Sequence, residues 1–63
     1  MREATINHAN EAIEVANLAC NYTPRLGAIT YAIEQVEQVR GVKFSALYLS
    51  YIRKHVAGAV DES

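Results

Sequence analysis

The stretch REATINHANEAIEVANLACNYTP, residues 2–24, decides the fold, because it holds a long helical pattern and the break that ends it. Residues 2–22 contain neither Gly nor Pro and are rich in Ala and Glu, a composition that favours an α-helix. Apolar residues recur at spacings of three and four and form one stripe along this helix: Ile6, Ala9, Ile13, Ala16 and Cys20. Small residues dominate the stripe and allow another helix to approach closely, so we interpret these five residues as a self-association surface.

A second helix is predicted after the break at residues 23–24. Thr23 suits the N-cap, and Pro24 suits the first helical position, where its missing N–H leaves no hydrogen bond unmade. The helix is expected to run to about Val39 or Arg40. Its apolar stripe consists of Leu26, Ile29, Ile33 and Val36.

Gly41 follows directly and is typical of a helix C-terminus. A third helix is predicted from about Ser45, its cap, to Ala57, with Val60 continuing its apolar stripe. The alternative is one long helix kinked at Gly41, which would make the protomer a two-helix hairpin. No run alternates apolar and polar residues between turn signals, so strands are not expected.

The predicted fold class is therefore all-α, with two or three short helices forming a helical hairpin-like protomer. Residues 1–60 are expected to form a single helical domain, and residues 61–63 a disordered acidic tail. A chain of 63 residues buries only about 60% of the surface that its unfolded form exposes, so its own core is marginal. Self-association is the remaining source of stability, and a homodimeric helical bundle is the expected assembly.

Catalytic and metal chemistry find little support in the residue types present. Cys20 is the single cysteine, and with His8 and His55 it cannot supply the four ligands of a structural zinc site. The glycines are too scattered to form a phosphate-binding loop. We therefore expect no enzyme activity, no cofactor and no metal.

The chain begins with polar residues rather than a signal peptide, and it contains no run of about 18 apolar residues. These features predict a cytoplasmic protein without membrane attachment. The net charge of −1 gives no general attraction to nucleic acid, but residues 41–60 carry a local charge of +3.

The third helix combines this positive charge with aromatic residues and is the candidate contact surface for another protein. The candidate contact residues are Tyr48, Tyr51, Arg53 and Lys54. The alternative is a small DNA-binding regulator that inserts the third helix into the major groove, with Gly41 in the turn of a helix-turn-helix. Glu37 argues against that motif, because the packing of its turn requires a small residue four positions before the glycine.

The whole chain, from MREATINHANEAIEVANLACNYTPR (residues 1–25) through FSALYLSYIRKHV (residues 44–56), resembles the small protein of this length encoded in the exo–xis region of lambdoid bacteriophages. The resemblance implies an early phage product that favours lytic development over lysogeny and disturbs the host cell cycle. It implies a setting in the host bacterial cytoplasm and an unidentified bacterial or phage protein as partner. That family has no enzymatic assignment and no motif-defined functional residues, so the resemblance implies no role for any single residue.

Overall fold

A computed structural model describes residues 1–57 and, within that range, contains three helices and two very short strands. The elements are β1 (Arg2–Glu3), α1 (Ile6–Ala19), α2 (Arg25–Arg40), β2 (Val42–Lys43) and α3 (Ala46–His55). The predicted all-α class is confirmed. The helices on either side of Gly41 are separate, so the kinked-hairpin alternative is wrong. The predictions for Val60 and for residues 61–63 lie outside the described residues.

The chain begins with a strand where the sequence predicted a helix. β1 pairs in parallel with β2, and the Ala4 N–H donates to the Lys43 carbonyl at 2.9 Å. Thr5 then caps α1, and its backbone N–H donates to Nδ1 of His8 at 3.0 Å. Since residues 2–4 use their backbone groups to pair with β2, α1 starts only at Ile6. The prediction that strands are absent is therefore wrong, because β1 and β2 pair over two residues.

The other helix boundaries follow local signals in the sequence. Pro24 is the N-cap of α2, whereas the sequence predicted Thr23 as the N-cap and Pro24 as the first helical residue. Gly41 ends α2 in the left-handed conformation with φ 65°, where a side chain would be strained. The hydroxyl of Ser45 accepts the Tyr48 N–H at 3.3 Å and caps α3, as predicted.

The core lies where α1 packs against α2 and, along its other flank, against α3. Alanine supplies half of the buried apolar residues, so the helices approach closely. The buried residues are Ala4, Ala9, Ala12, Ala16, Ala28, Ile29, Ala32, Val36, Val42, Phe44, Ile52 and Val56. Among residues 1–57, only Ile52 and Val42 are both large and completely enclosed. The protomer therefore has a small core.

Polar contacts hold the middle and the C-terminal end of α3 against the rest of the molecule. The Tyr51 hydroxyl donates to Oδ1 of Asn10 at 3.1 Å, and the Ala57 N–H donates to Oδ1 of Asn17 at 2.9 Å. The Arg25 guanidinium donates to the carbonyls of Val56, at 3.2 Å, and of Arg53. These bonds fix which side of α3 faces the solvent.

Candidate protein-binding surfaces

One side of α3 combines exposed residues with the half-buried Tyr51, which also packs against the core, and forms what we call the α3 outer face. Its residues line a shallow depression: Leu47, Ser50, Tyr51, Lys54 and His55. Leu47, Tyr51 and Lys54 follow one another at spacings of four and three, which aligns them along the helix. Leu47 is 79% exposed although it is one of the larger apolar residues of the chain. A protruding leucine beside an aromatic ring is a suitable anchor for a protein partner.

The aromatic ring of this face is held in place before any partner binds. The hydrogen bond to Asn10 fixes the tip of Tyr51. The His55 ring lies against the tyrosine ring with centroids 4.4 Å apart and an interplanar angle of 36°. A ring already held in one position loses less conformational entropy on binding.

The structure separates the four contact residues predicted from the sequence. Tyr51 and Lys54 belong to the α3 outer face. Tyr48 and Tyr51 are both half-buried against the core, but Tyr48 does not line the depression. Arg53 lies two residues from Tyr51, about 200° round the helix axis. Leu47 was missed, although one sequence signal pointed to it. It belongs neither to the apolar stripe of Leu49, Ile52 and Val56 nor to the adjacent stripe of Tyr48, Tyr51 and His55.

Lys54 is the charged residue of this face, and the segment that carries it is net positive. Residues 41–57 contain Lys43, Arg53 and Lys54 and no acidic residue. The last turn of α3 holds Arg53, Lys54 and His55, where cations also interact favourably with the helix dipole. The surroundings of Leu47 and Tyr51 therefore favour an acidic partner.

The connection between α2 and α3 differs from a helix-turn-helix. It spans residues 41–45 and includes β2, whereas the turn of that motif has three or four residues. The Glu37 carboxylate accepts the Phe44 N–H at 3.1 Å and helps to shape the connection. α3 packs chiefly on α1 rather than across α2. The arrangement does not resemble a recognition helix supported by the preceding one.

A second exposed apolar surface lies between α1 and α2. We call it the open groove and define it by its lining residues: Val15, Leu18, Tyr22, Gly27, Tyr31 and Val39. Its deeper part, near Tyr22, encloses about 570 Å³. Leu18, Tyr22, Tyr31 and Val39 are each more than half exposed. So many large apolar side chains along one groove indicate a surface that is covered in the working protein.

The end of the open groove near Val39 is closed by an ion pair. The Arg40 guanidinium donates twice to the Glu11 carboxylate, from Nε to Oε1 at 3.0 Å and from Nη2 to Oε2 at 2.7 Å. The hydrogen bond from Arg40 lowers the pKa of the Glu11 carboxyl. Both side chains are well exposed, so water screens the pair and its effect on stability is small.

The Glu11–Arg40 pair should make a small, acid-sensitive contribution to stability. Since the Glu11 pKa is lowered on folding, this contribution is complete above the unfolded-state value of about 4.3 and is lost as pH falls through the folded-state value. Urea midpoints of the wild type and of Arg40→Met should differ slightly at pH 7, and the difference should shrink as pH falls below the unfolded-state value. Glu11→Gln is the control and should behave like Arg40→Met. A difference that stays constant on acidification would contradict this assignment.

The predicted self-association stripe lies mostly inside the protomer. Ala9 and Ala16 are completely buried, while Ile13 and Cys20 are partly buried and pack against the same core. Ile6 alone keeps a large exposed fraction, 42%. In this arrangement the small residues of α1 receive α2 and α3 of the same chain, so they offer almost no surface to a second copy.

Within residues 1–57, no three His, Cys, Asp or Glu side chains come together as a metal site. No helix in the same part of the chain is long and apolar enough to cross a membrane. No protein-family model, curated protein or solved structure matches the chain. The fold and the two exposed surfaces therefore define it as a small three-helix protein, and the resemblance to the lambdoid phage family stays a prediction.

Proposed function

We propose that this protein is a non-enzymatic interaction protein that binds another protein through the α3 outer face. In the setting that the sequence resemblance implies, it is an early phage accessory protein in the host bacterial cytoplasm. There it favours lytic development over lysogeny by binding a bacterial or phage protein. The observation that supports this proposal is the exposed Leu47 beside the fixed ring of Tyr51 and the positive charge of Lys54.

The chemistry of this face suggests what the partner presents. Leu47 and Tyr51 offer apolar contact area, and a few such anchors supply most of the free energy in protein interfaces. Arg53, Lys54 and Lys43 attract acidic groups and accelerate their encounter with the face. We therefore expect an acidic segment with at least one apolar side chain that packs between Leu47 and Tyr51.

Nucleic acid is the alternative occupant of the same helix. Three basic residues give a small phosphate footprint, and each phosphate neutralised adds about one unit to the salt dependence of binding. The net charge of −1 and the geometry of the α2–α3 connection both favour a protein partner. A capture experiment with and without nuclease separates these two outcomes.

Replacing Tyr51 with alanine should greatly weaken partner capture from bacterial lysate. The change removes an aromatic anchor, and anchors of this kind contribute about 2 kcal/mol or more, roughly thirtyfold in affinity. Leu47→Glu should have a similar effect because it places a carboxylate where an acidic partner is expected. Capture by tagged protein, quantified in nuclease-treated and untreated halves of the lysate, measures both effects.

Two matched variants control for indirect effects. Tyr51→Phe keeps the ring but loses the bond to Asn10, so it should retain most of the capture. Leu26→Glu introduces the same charge as Leu47→Glu at another exposed leucine, outside both surfaces, and should change nothing. Full capture by both Tyr51→Ala and Leu47→Glu would refute the site, and capture that disappears with nuclease would favour nucleic acid.

A further inference from the structure

We infer that the open groove is covered by a second copy of the chain, so that two α1–α2 hairpins form a two-fold four-helix bundle. The inference concerns a different surface from the α3 outer face and does not depend on the proposed partner. It also replaces the self-association surface expected from the sequence with residues that are exposed. The spacing, charge and size of the groove each favour a second copy over another occupant.

The spacing of the groove residues is that of a helix–helix seam. On α1, Glu11, Val15 and Leu18 follow at intervals of four and three, the average repeat of 3.5 residues that packs helices side by side, and Tyr22 lies in the turn directly after α1. On α2, Gly27 and Tyr31 lie one turn apart, and Val39 lies two turns further along the same side. Two hairpins with such seams pack as a four-helix bundle.

The charge of the groove suits a copy of itself. None of the six residues that define the groove is charged, and Glu11, which lies at its Val39 end, is neutralised by Arg40 through two hydrogen bonds. A two-fold contact places the same surface against itself, so an uncharged surface brings no like charges together. A strongly charged partner would find no counter-charge here, in contrast to the α3 outer face.

The size of the hairpin face matches a modest dimer interface. α1 and α2 have 14 and 16 residues, and two such helices side by side present a flat face of about 450 Å². Protruding side chains add to this area. A two-fold contact over this face buries on the order of 1,000 Å² in total, the size at which specific interfaces begin. We therefore expect a dimer that forms at micromolar concentration.

The composition of the core explains why the occupant should be permanent. Half of the buried apolar residues are alanines, whereas Leu18, Tyr22, Tyr31 and Val39 remain exposed. A short chain with so small a core needs additional burial, and a second copy is always present to provide it. α3 contacts α1 through Asn10 and Asn17, on the flank away from Leu18 and Tyr22, so dimerisation leaves the α3 outer face accessible.

Sedimentation equilibrium of the full chain at micromolar concentration tests the inference. The wild type should have twice the monomer mass of 7.0 kDa. Leu18→Glu should weaken dimerisation by roughly a hundredfold, since each of two buried carboxylates costs about tenfold or more. Leu26→Glu is the matched control and should remain dimeric. A monomeric wild type, or a dimer unaffected by Leu18→Glu, would overturn the inference.

A measurement on the wild type guards against a variant that simply unfolds. In a mixture of isotope-labelled and unlabelled protein, filtered NOE spectra record only contacts between copies. Cross-peaks from the methyl groups of Leu18 and Val39 to the tyrosine rings of the other copy are expected. Intermolecular cross-peaks confined to Leu47 would place the dimer on α3 and overturn the inference, as would a co-purifying ligand or foreign protein that fills the groove of a monomer.

Discussion

Replacing Ile52 with alanine should leave a large fraction of the protein unfolded at 25 °C. Ile52 is completely buried where α3 joins the core, and it is one of only two large side chains so enclosed. The loss of a buried isoleucine side chain costs about 2–5 kcal/mol, because the cavity is only partly refilled. A single core in a chain of this size supplies roughly 3–5 kcal/mol in total. Urea unfolding followed by circular dichroism should show the midpoint shifted close to zero denaturant.

Replacing an exposed aliphatic residue of α3 with alanine is the appropriate control for the loss of stability in Ile52→Ala. Leu47→Ala also removes a branched aliphatic side chain, but from an exposed position, so its effect should stay within about 0.5 kcal/mol. Equal losses for the two variants would contradict the difference in burial, because alanine is the stronger helix former and helix propensity alone would give no loss at either position. A much smaller loss at Ile52 would mean that α3 does not pack on α1 as described.

Replacing Ala16 with glutamate should abolish the fold at every protein concentration. Ala16 is completely buried within the protomer, and none of the charged groups of residues 1–57 lies in the buried core to pair with the new carboxylate. An unpaired buried charge costs about 3–5 kcal/mol, as much as the core supplies. Circular dichroism across a concentration series should show lost helix throughout.

A concentration series also separates two roles for Ala16. Were Ala16 part of a dimer interface, as the sequence suggested, the Ala16→Glu protein would be a folded monomer or would regain helix at high concentration. Asn7→Glu is the control, because it adds a carboxylate to an exposed position in the first turn of α1, where negative charge is favourable. Its helicity should match or exceed that of the wild type.

Local signals indicated the helical segments and their order but left open whether Gly41 separates α2 from α3. Pro24, Gly41 and Ser45 each act through their own backbone geometry or a hydrogen bond to a near neighbour, so they can be interpreted without knowing the rest of the fold. The strand at Arg2–Glu3 has no such signal. It forms only because Val42–Lys43 lies beside it in three dimensions, and two residues are too few for an alternating pattern.

The surfaces were harder to predict because a periodic stripe does not identify what covers it. The alanines of α1 indicated close helix packing, but the sequence could not tell whether the neighbouring helix belongs to the same chain or to another. Tyr51 and Lys54 were predicted as contacts and do share a face, whereas helical geometry alone would have separated Arg53 from them. That Leu18 stays exposed could be seen only from the structure, in which α3 contacts α1 through Asn10 and Asn17.

The β1–β2 pairing has a consequence for the order in which the protein can be built on the ribosome. Residues 2–4 leave the exit tunnel well before their hydrogen-bond partners, Gly41 and Lys43, which are synthesised some forty residues later. The α1–α2 hairpin needs only nearby residues and can form as soon as both helices have emerged. The β1 segment therefore reaches its final position after the hairpin, and a nascent chain halted before Lys43 would hold a helical hairpin with β1 still unpaired.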